Sequence, residues 1–211
     1  MKFEEILALT NNLPFFETGL LLAGDVDPGD VRRQLSRWQK AGKILQLRRG
    51  LYTLAPPYQQ VNPHPFLIAN ALAPGSYVSG QSALAYYGLI PEHTPRTISM
   101  TASRTAQWDS GFLFHHLDPR LLFGYQSIEI APAQEAFIAY PEKALLDLAH
   151  LTPSSDNDAF LSQLRLQNLE RLDLNRLQEF AERAAKPKWR RVAQKVKSLA
   201  LQEANEYESL P

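Results

Sequence analysis

The chain of 211 residues contains no cysteine. Disulfide frameworks, thiolate metal sites and cysteine nucleophiles are therefore excluded. Long apolar runs are missing as well. Stretches such as Leu20-Leu21-Leu22-Ala23 fall far short of the roughly 20 residues that a bilayer span needs. Acids at Glu4 and Glu5 oppose a secretory start, so the expected compartment is the cytoplasm. No Walker-type glycine loop, Gly-x-Ser-x-Gly elbow or His-Glu-x-x-His sequence occurs. Net charge is absent too, with 22 basic and 22 acidic side chains. What is present is ordinary globular material: 45 % hydrophobic residues, enough for one or two small domains and too much for low-complexity disorder.

The neutral total conceals two basic runs. Between positions 31 and 91 the only charged residues are Arg32, Arg33, Arg37, Lys40, Lys43, Arg48 and Arg49. A second run, Arg183, Lys186, Lys188, Arg190, Arg191, Lys195 and Lys197, lies in a stretch free of acids from 183 to 202. Such asymmetry points to an anionic partner or to solvated helix faces, and local structure must decide.

Residues 1–57 read as a winged helix-turn-helix domain. Phe3, Ile6 and Leu7 stand at helical spacing, so 3–10 is a first helix, ended by Asn11-Asn12. A second is expected over 17–23, stopped by Gly24. A third starts with Asp27 as N-cap, Pro28 in the first position and Asp30 near the positive end of the dipole, and stops at Gly42. At about 100° per residue, Val31, Leu35 and Trp38 share its core stripe. Arg33, Ser36 and Lys40 lie opposite, flanked by Arg32 and Arg37. An apolar back and a cationic front are what a recognition helix requires, because arginine reaches guanine edges or phosphates. The period then changes to two. Strands 44–47 and 51–54 flank Arg48-Arg49-Gly50 and form the wing, whose arginines would hold phosphate. Pro56-Pro57 closes the unit.

Residues 60–152 read as a small mixed α/β domain. Helices are expected over 66–72 and 80–87, the second capped by Ser79 and stopped by Gly88. Strands follow at 96–101, 111–116, 126–130 and 135–139. An amphipathic helix then starts at Pro141, with Glu142 and Asp147 on its exposed side. Residues 153–211 form a helical region packed on this domain, with Trp189, Val192, Val196 and Leu199 on the apolar stripe of its last helix. The fold class is α+β.

These residues carry a family likeness. The chain resembles the AbiEi-type antitoxins of abortive-infection, type IV toxin–antitoxin systems and their stand-alone relatives among transcriptional regulators. The likeness rests on Leu47-Arg48-Arg49-Gly50-Leu51-Tyr52, on Tyr77-Val78-Ser79-Gly80-Gln81-Ser82-Ala83-Leu84 leading to Tyr87-Gly88-Leu89, on Thr97-Ile98-Ser99-Met100-Thr101, and on Pro141-Glu142-Lys143-Ala144-Leu145-Leu146-Asp147. The resemblance implies an N-terminal domain that represses its own promoter through repeated DNA sites. It also implies a second domain that counters a nucleotidyltransferase-like toxin without a stable complex.

The expected function is that of a DNA-binding regulator, not an enzyme, with no cofactor and no metal. Its candidate contacts to double-stranded DNA are Arg32, Arg33, Ser36, Arg37, Lys40, Arg48 and Arg49. Two alternatives come from the same residues. One is a winged-helix protein-interaction module with solvated arginines. The other is a metal-dependent nuclease using Glu129, Glu135 and Glu142 beside Lys143. His115-His116 with Asp118 makes a poor metal site, since neighbouring strand residues point to opposite faces.

Overall fold

A computed structural model of the chain describes residues 2–23, 26–92, 94–108 and 111–208. Among the described residues it is a mixed α+β structure of nine α-helices and two sheets. No helix among them is long and apolar enough to cross a membrane.

The first part of the chain contains α1 (Phe3–Thr10), β1 (Phe16–Glu17), α2 (Thr18–Leu21), α3 (Pro28–Lys40), β2 (Ile44–Arg48) and β3 (Leu51–Leu54). The strands form an antiparallel sheet in the order β1-β3-β2. The helix expected over 17–23 is shorter than its periodicity indicates. Phe16 and Glu17 pair with Tyr52 and Leu51 across the sheet, and the Thr18 N–H donates to the Gly50 carbonyl at 2.8 Å. Ladder bonds thus claim the start of that segment, while Gly24 lies outside the described residues. Phe3, Ile6, Phe16, Leu21, Val31, Leu35, Trp38, Ile44, Tyr52 and Leu54 close one hydrophobic cluster over this sheet.

A second and larger cluster runs from Ala69 to Val196. Around it lie α4 (Pro65–Leu72), β4 (Tyr77–Val78), α5 (Gly80–Tyr86), β5 (Thr97–Thr101), β6 (Ala106–Trp108), β7 (Phe112–His116), β8 (Tyr125–Ala131), β9 (Gln134–Ala139) and α6 (Pro141–Leu151). The six-stranded mixed sheet has the order β6-β7-β5-β4-β9-β8. Its centre, β4, pairs antiparallel with β5 and parallel with β9. Tyr77 and Val78 are consecutive and both fully buried, so the sheet is covered on both faces there. Neither β4 nor β6 is expected from the sequence, because two or three residues cannot display an alternation.

The last helices are α7 (Asp158–Leu164), α8 (Leu174–Arg183) and α9 (Pro187–Glu208). Trp189, Val192 and Val196 bury α9 against the same cluster as α6 and α8, as the spacing predicts, while Leu199 at the next turn is 37 % exposed.

The two clusters are joined through α4. Leu47 is the extra residue of a β-bulge between Gln46 and Arg48. A bulge re-aims the side chains around it. Here Leu47 packs against the larger cluster and the Arg48 Nε donates to the Ala71 carbonyl at 2.8 Å.

Candidate nucleic-acid interface

Helix α3 is held by local chemistry at both ends. The Asp27 carboxylate accepts the Gly29 N–H at 2.8 Å, and Pro28 occupies the first turn. At the other end Gly42 takes φ +68°, which lets the Lys43 N–H reach back to the Trp38 carbonyl at 2.9 Å. Asp27→Ala is expected to lower stability by about 1 kcal/mol, seen as a lower midpoint in urea denaturation. Caps set where the helix begins and ends; packing sets its rotation. Val31, Leu35 and Trp38 are all buried, each worth about 1.5–3 kcal/mol, against fractions of a kcal/mol for surface charge effects.

That rotation places Arg32, Arg33, Ser36, Arg37, Gln39 and Lys40 in solvent. The tip of the β2–β3 hairpin approaches the same face. Arg32, Ser36 and Gln39 from α3 line one recess together with Arg49 and Gly50 from the tip. Gly50 takes φ +82°, and its carbonyl accepts both the N–H and the O–H of Thr18, so the turn is fixed from below. Gln39 is an addition to the sequence reading. It stands seven residues after Arg32 and three after Ser36, a spacing that marks it as a neighbour of both.

Arg48 is placed differently from the expectation. Its guanidinium is turned inward to the Ala71 carbonyl and lies 3.4 Å from Glu17, because the bulge points it at α4 rather than at solvent. Arg49 remains exposed. Arg33 pairs with Asp30 and stands 4.0 Å from Asp27, but all three side chains are more than half exposed, so these pairs hold it weakly. Arg32, Arg37, Lys40 and Arg49 have no ion-pair partner among the described residues.

The second basic run is largely used within the molecule. Lys188 donates to the Thr152 carbonyl, Arg191 bonds Asp156 at 2.7 Å, Lys195 pairs with Asp158, and Arg183 lies 4.1 Å over the Phe123 ring. Its cations tie α8 and α9 to the segments they cover.

Helix α6 overturns the expectation of an exposed charged side. Glu142, Lys143 and Asp147 are all fully buried. The Lys143 ammonium donates to Asp147 and to the Tyr77 hydroxyl, the latter at 2.7 Å. Asp147 Oδ2 also accepts from Tyr77 at 3.0 Å and from Ser79 at 2.8 Å. Ser79 therefore spends its hydroxyl on Asp147 and makes no side-chain cap on α5. Burial, then the neighbouring Asp147 charge, hold the Tyr77 hydroxyl protonated far above the usual range. Burial pulls the Lys143 ammonium down, and Asp147 opposes it. Glu142 faces elsewhere: it accepts the Asp173 N–H at 2.7 Å and lies 3.6 Å from Arg176. Burial pushes its carboxyl up, opposed by that N–H and by Arg176.

The carboxylates of the nuclease reading are not gathered. Glu129 and Glu135 oppose each other on the exposed β8–β9 hairpin, where they accept from Ala133 and Ser127. Glu142 is buried against the start of α8. Among the described residues no group of three His, Cys, Asp or Glu could hold a metal ion.

Three histidines, His64, His115 and His150, have pKa values lowered below the usual 6.5 by burial. At His150 the nearby lysines add to the lowering and Asp147 opposes it. A depressed folded value gives stability that is full above the unfolded value of 6.5 and lost as pH falls through the folded one. Urea midpoints are thus expected to drop below pH 6.5, and His150→Gln should reduce that drop.

No family model matches the chain, and no curated protein matches it. Among solved structures it is similar to the crystal structure of the RV2827C protein from Mycobacterium tuberculosis. The TM-score is 0.58 at 17 % identity, over 93 % of this chain and 76 % of that one. At this identity the likeness shows a shared fold alone.

Proposed function

We propose that residues 1–57 are a winged-helix DNA-binding domain and that the chain is a transcriptional regulator. The carrying observation is the convergence of Arg32, Ser36 and Gln39 on α3 with Arg49 at the hairpin tip around one recess. Arg32, Ser36, Arg37 and Lys40 enter the major groove, with Arg33 on the same face, and Arg49 holds the adjoining backbone. Asp27 and Asp30 make the first turn of α3 negative, which moves phosphate contact toward its middle and its end. Arg48 serves the fold and not the duplex.

The AbiEi resemblance extends this reading to autorepression through repeated promoter sites and, where a nucleotidyltransferase-like toxin is encoded alongside, to an antitoxin role. The test is a mobility shift with the chain's own promoter and an unrelated duplex of equal length. Retention of the promoter alone supports a specific repressor; equal binding to both defeats it. Co-expression with the adjacent gene product tests the antitoxin role, with restored growth as the expected result.

A further inference from the structure

A cavity of about 450 Å³ lies away from the α3 surface, between the start of α4, α5 and the edges of β5 and β7. That volume falls within the range of small-molecule sites. Three aromatic side chains line it: Phe66, Tyr86 and Phe112. Phe66 and Phe112 are only partly buried and Tyr86 is 43 % exposed. The Phe66 and Tyr86 rings are tilted at 5.8 Å, the His64 and Phe66 rings meet T-shaped at 4.9 Å, and Tyr86 also meets Tyr87 T-shaped at 5.2 Å. Partly exposed aromatic side chains lining a cavity suit a flat aromatic guest, which can meet them edge-on or offset.

The polar lining carries donors and positive charge. Arg96 is exposed at the rim, its Nη1 3.5 Å from Gln107. Its backbone is held by a buried hydroxyl: Ser82 Oγ donates to the Arg96 carbonyl at 3.0 Å and accepts the Ile98 N–H at 2.9 Å. His64 Nδ1 accepts the Phe66 N–H at 3.1 Å, so in the neutral ring the proton is on Nε2, the ring's free donor. The start of α4 adds the positive end of a helix dipole. No acidic residue lines the cavity among the described residues.

We infer that this cavity is a binding site for a small aromatic anion, its ring held among Phe66, Tyr86 and Phe112 and its carboxylate by Arg96. The site is independent of the DNA reading, and its test is carried out on the full chain without DNA. The probe is 1-naphthoate, followed by isothermal titration, with uncharged 1-naphthalenemethanol as the comparison. Saturable one-to-one binding of the anion is expected, about tenfold tighter than the alcohol. Arg96→Gln should erase that tenfold preference and leave the alcohol unaffected, while Tyr86→Ala should weaken both ligands. Both positions are exposed, so neither variant threatens the fold, and unchanged thermal midpoints confirm this. Equal affinity for anion and alcohol, an unchanged preference in Arg96→Gln, or no saturable binding up to about 1 mM would each overturn the assignment.

Discussion

Replacing Arg33 and Arg49 together by alanine is expected to weaken promoter binding by about a hundredfold at moderate salt, with the fold intact. The two side chains lie at different parts of the proposed surface, one on α3 and one at the hairpin tip. Neither supports the core: Arg49 is exposed without an ion-pair partner among the described residues, and Arg33 makes only exposed pairs. Each phosphate contact contributes about 0.9 to the slope of log affinity against log salt. The double variant should therefore flatten that slope by up to about 1.8, while thermal midpoints stay within about 2 °C of the parent. A base contact and a phosphate contact separate in this experiment. Loss of a base contact relaxes the preference for the promoter; loss of a phosphate contact weakens all duplexes alike. Unchanged DNA binding would make the α3 face a protein-contact surface instead.

The largest effect on stability is expected at α6. Lys143→Met leaves Asp147 buried with only Tyr77 and Ser79 as donors. Removing one member of a buried pair costs about 3–5 kcal/mol, because the other charge is left uncompensated. For a chain of this size that lowers the thermal midpoint by roughly 10 °C. The companion variant, Lys143→Met with Asp147→Leu, removes both charges and is expected to recover most of the loss. The outcome depends on surroundings that already favour an apolar replacement: Lys143 Nζ sits 5.2–5.4 Å from the Tyr77, Phe123 and Trp189 ring centroids. A double variant no more stable than Lys143→Met would show that the cluster is not acting as a charge pair.

The sequence was informative wherever a short-range rule decides the outcome. The start and end of α3 follow from Asp27, Pro28 and Gly42, each acting within a few residues. Its rotation follows from Val31, Leu35 and Trp38, because a helix on one sheet buries one stripe. Helix α6 obeys the same periodicity with a different result. It is enclosed by α5, α8, α9 and β9, so no side of it is left for charge. Lys143 and Asp147, spaced i,i+4, neutralise each other inside; the same spacing on an open helix would be a surface pair. The inward turn of Arg48 depends on a one-residue bulge, and no local pattern distinguishes it from Arg49. The recess shared by α3 and the hairpin tip was partly legible through its arginines. Gln39 escapes a reading based on cations, because an uncharged amide adds nothing to a charge pattern; only its helical spacing from Arg32 and Ser36 places it on their face.

The bond between Arg48 and the Ala71 carbonyl has a mechanical consequence. Arg49 is the next residue along the chain, so the finger we propose to reach for the duplex is riveted at its knuckle to the trunk of the molecule. Swivelling the finger means breaking that rivet. If the proposed binding to repeated promoter sites holds, copies on tandem operators would then all lean the same way, each presenting the same flank to its neighbour along the duplex.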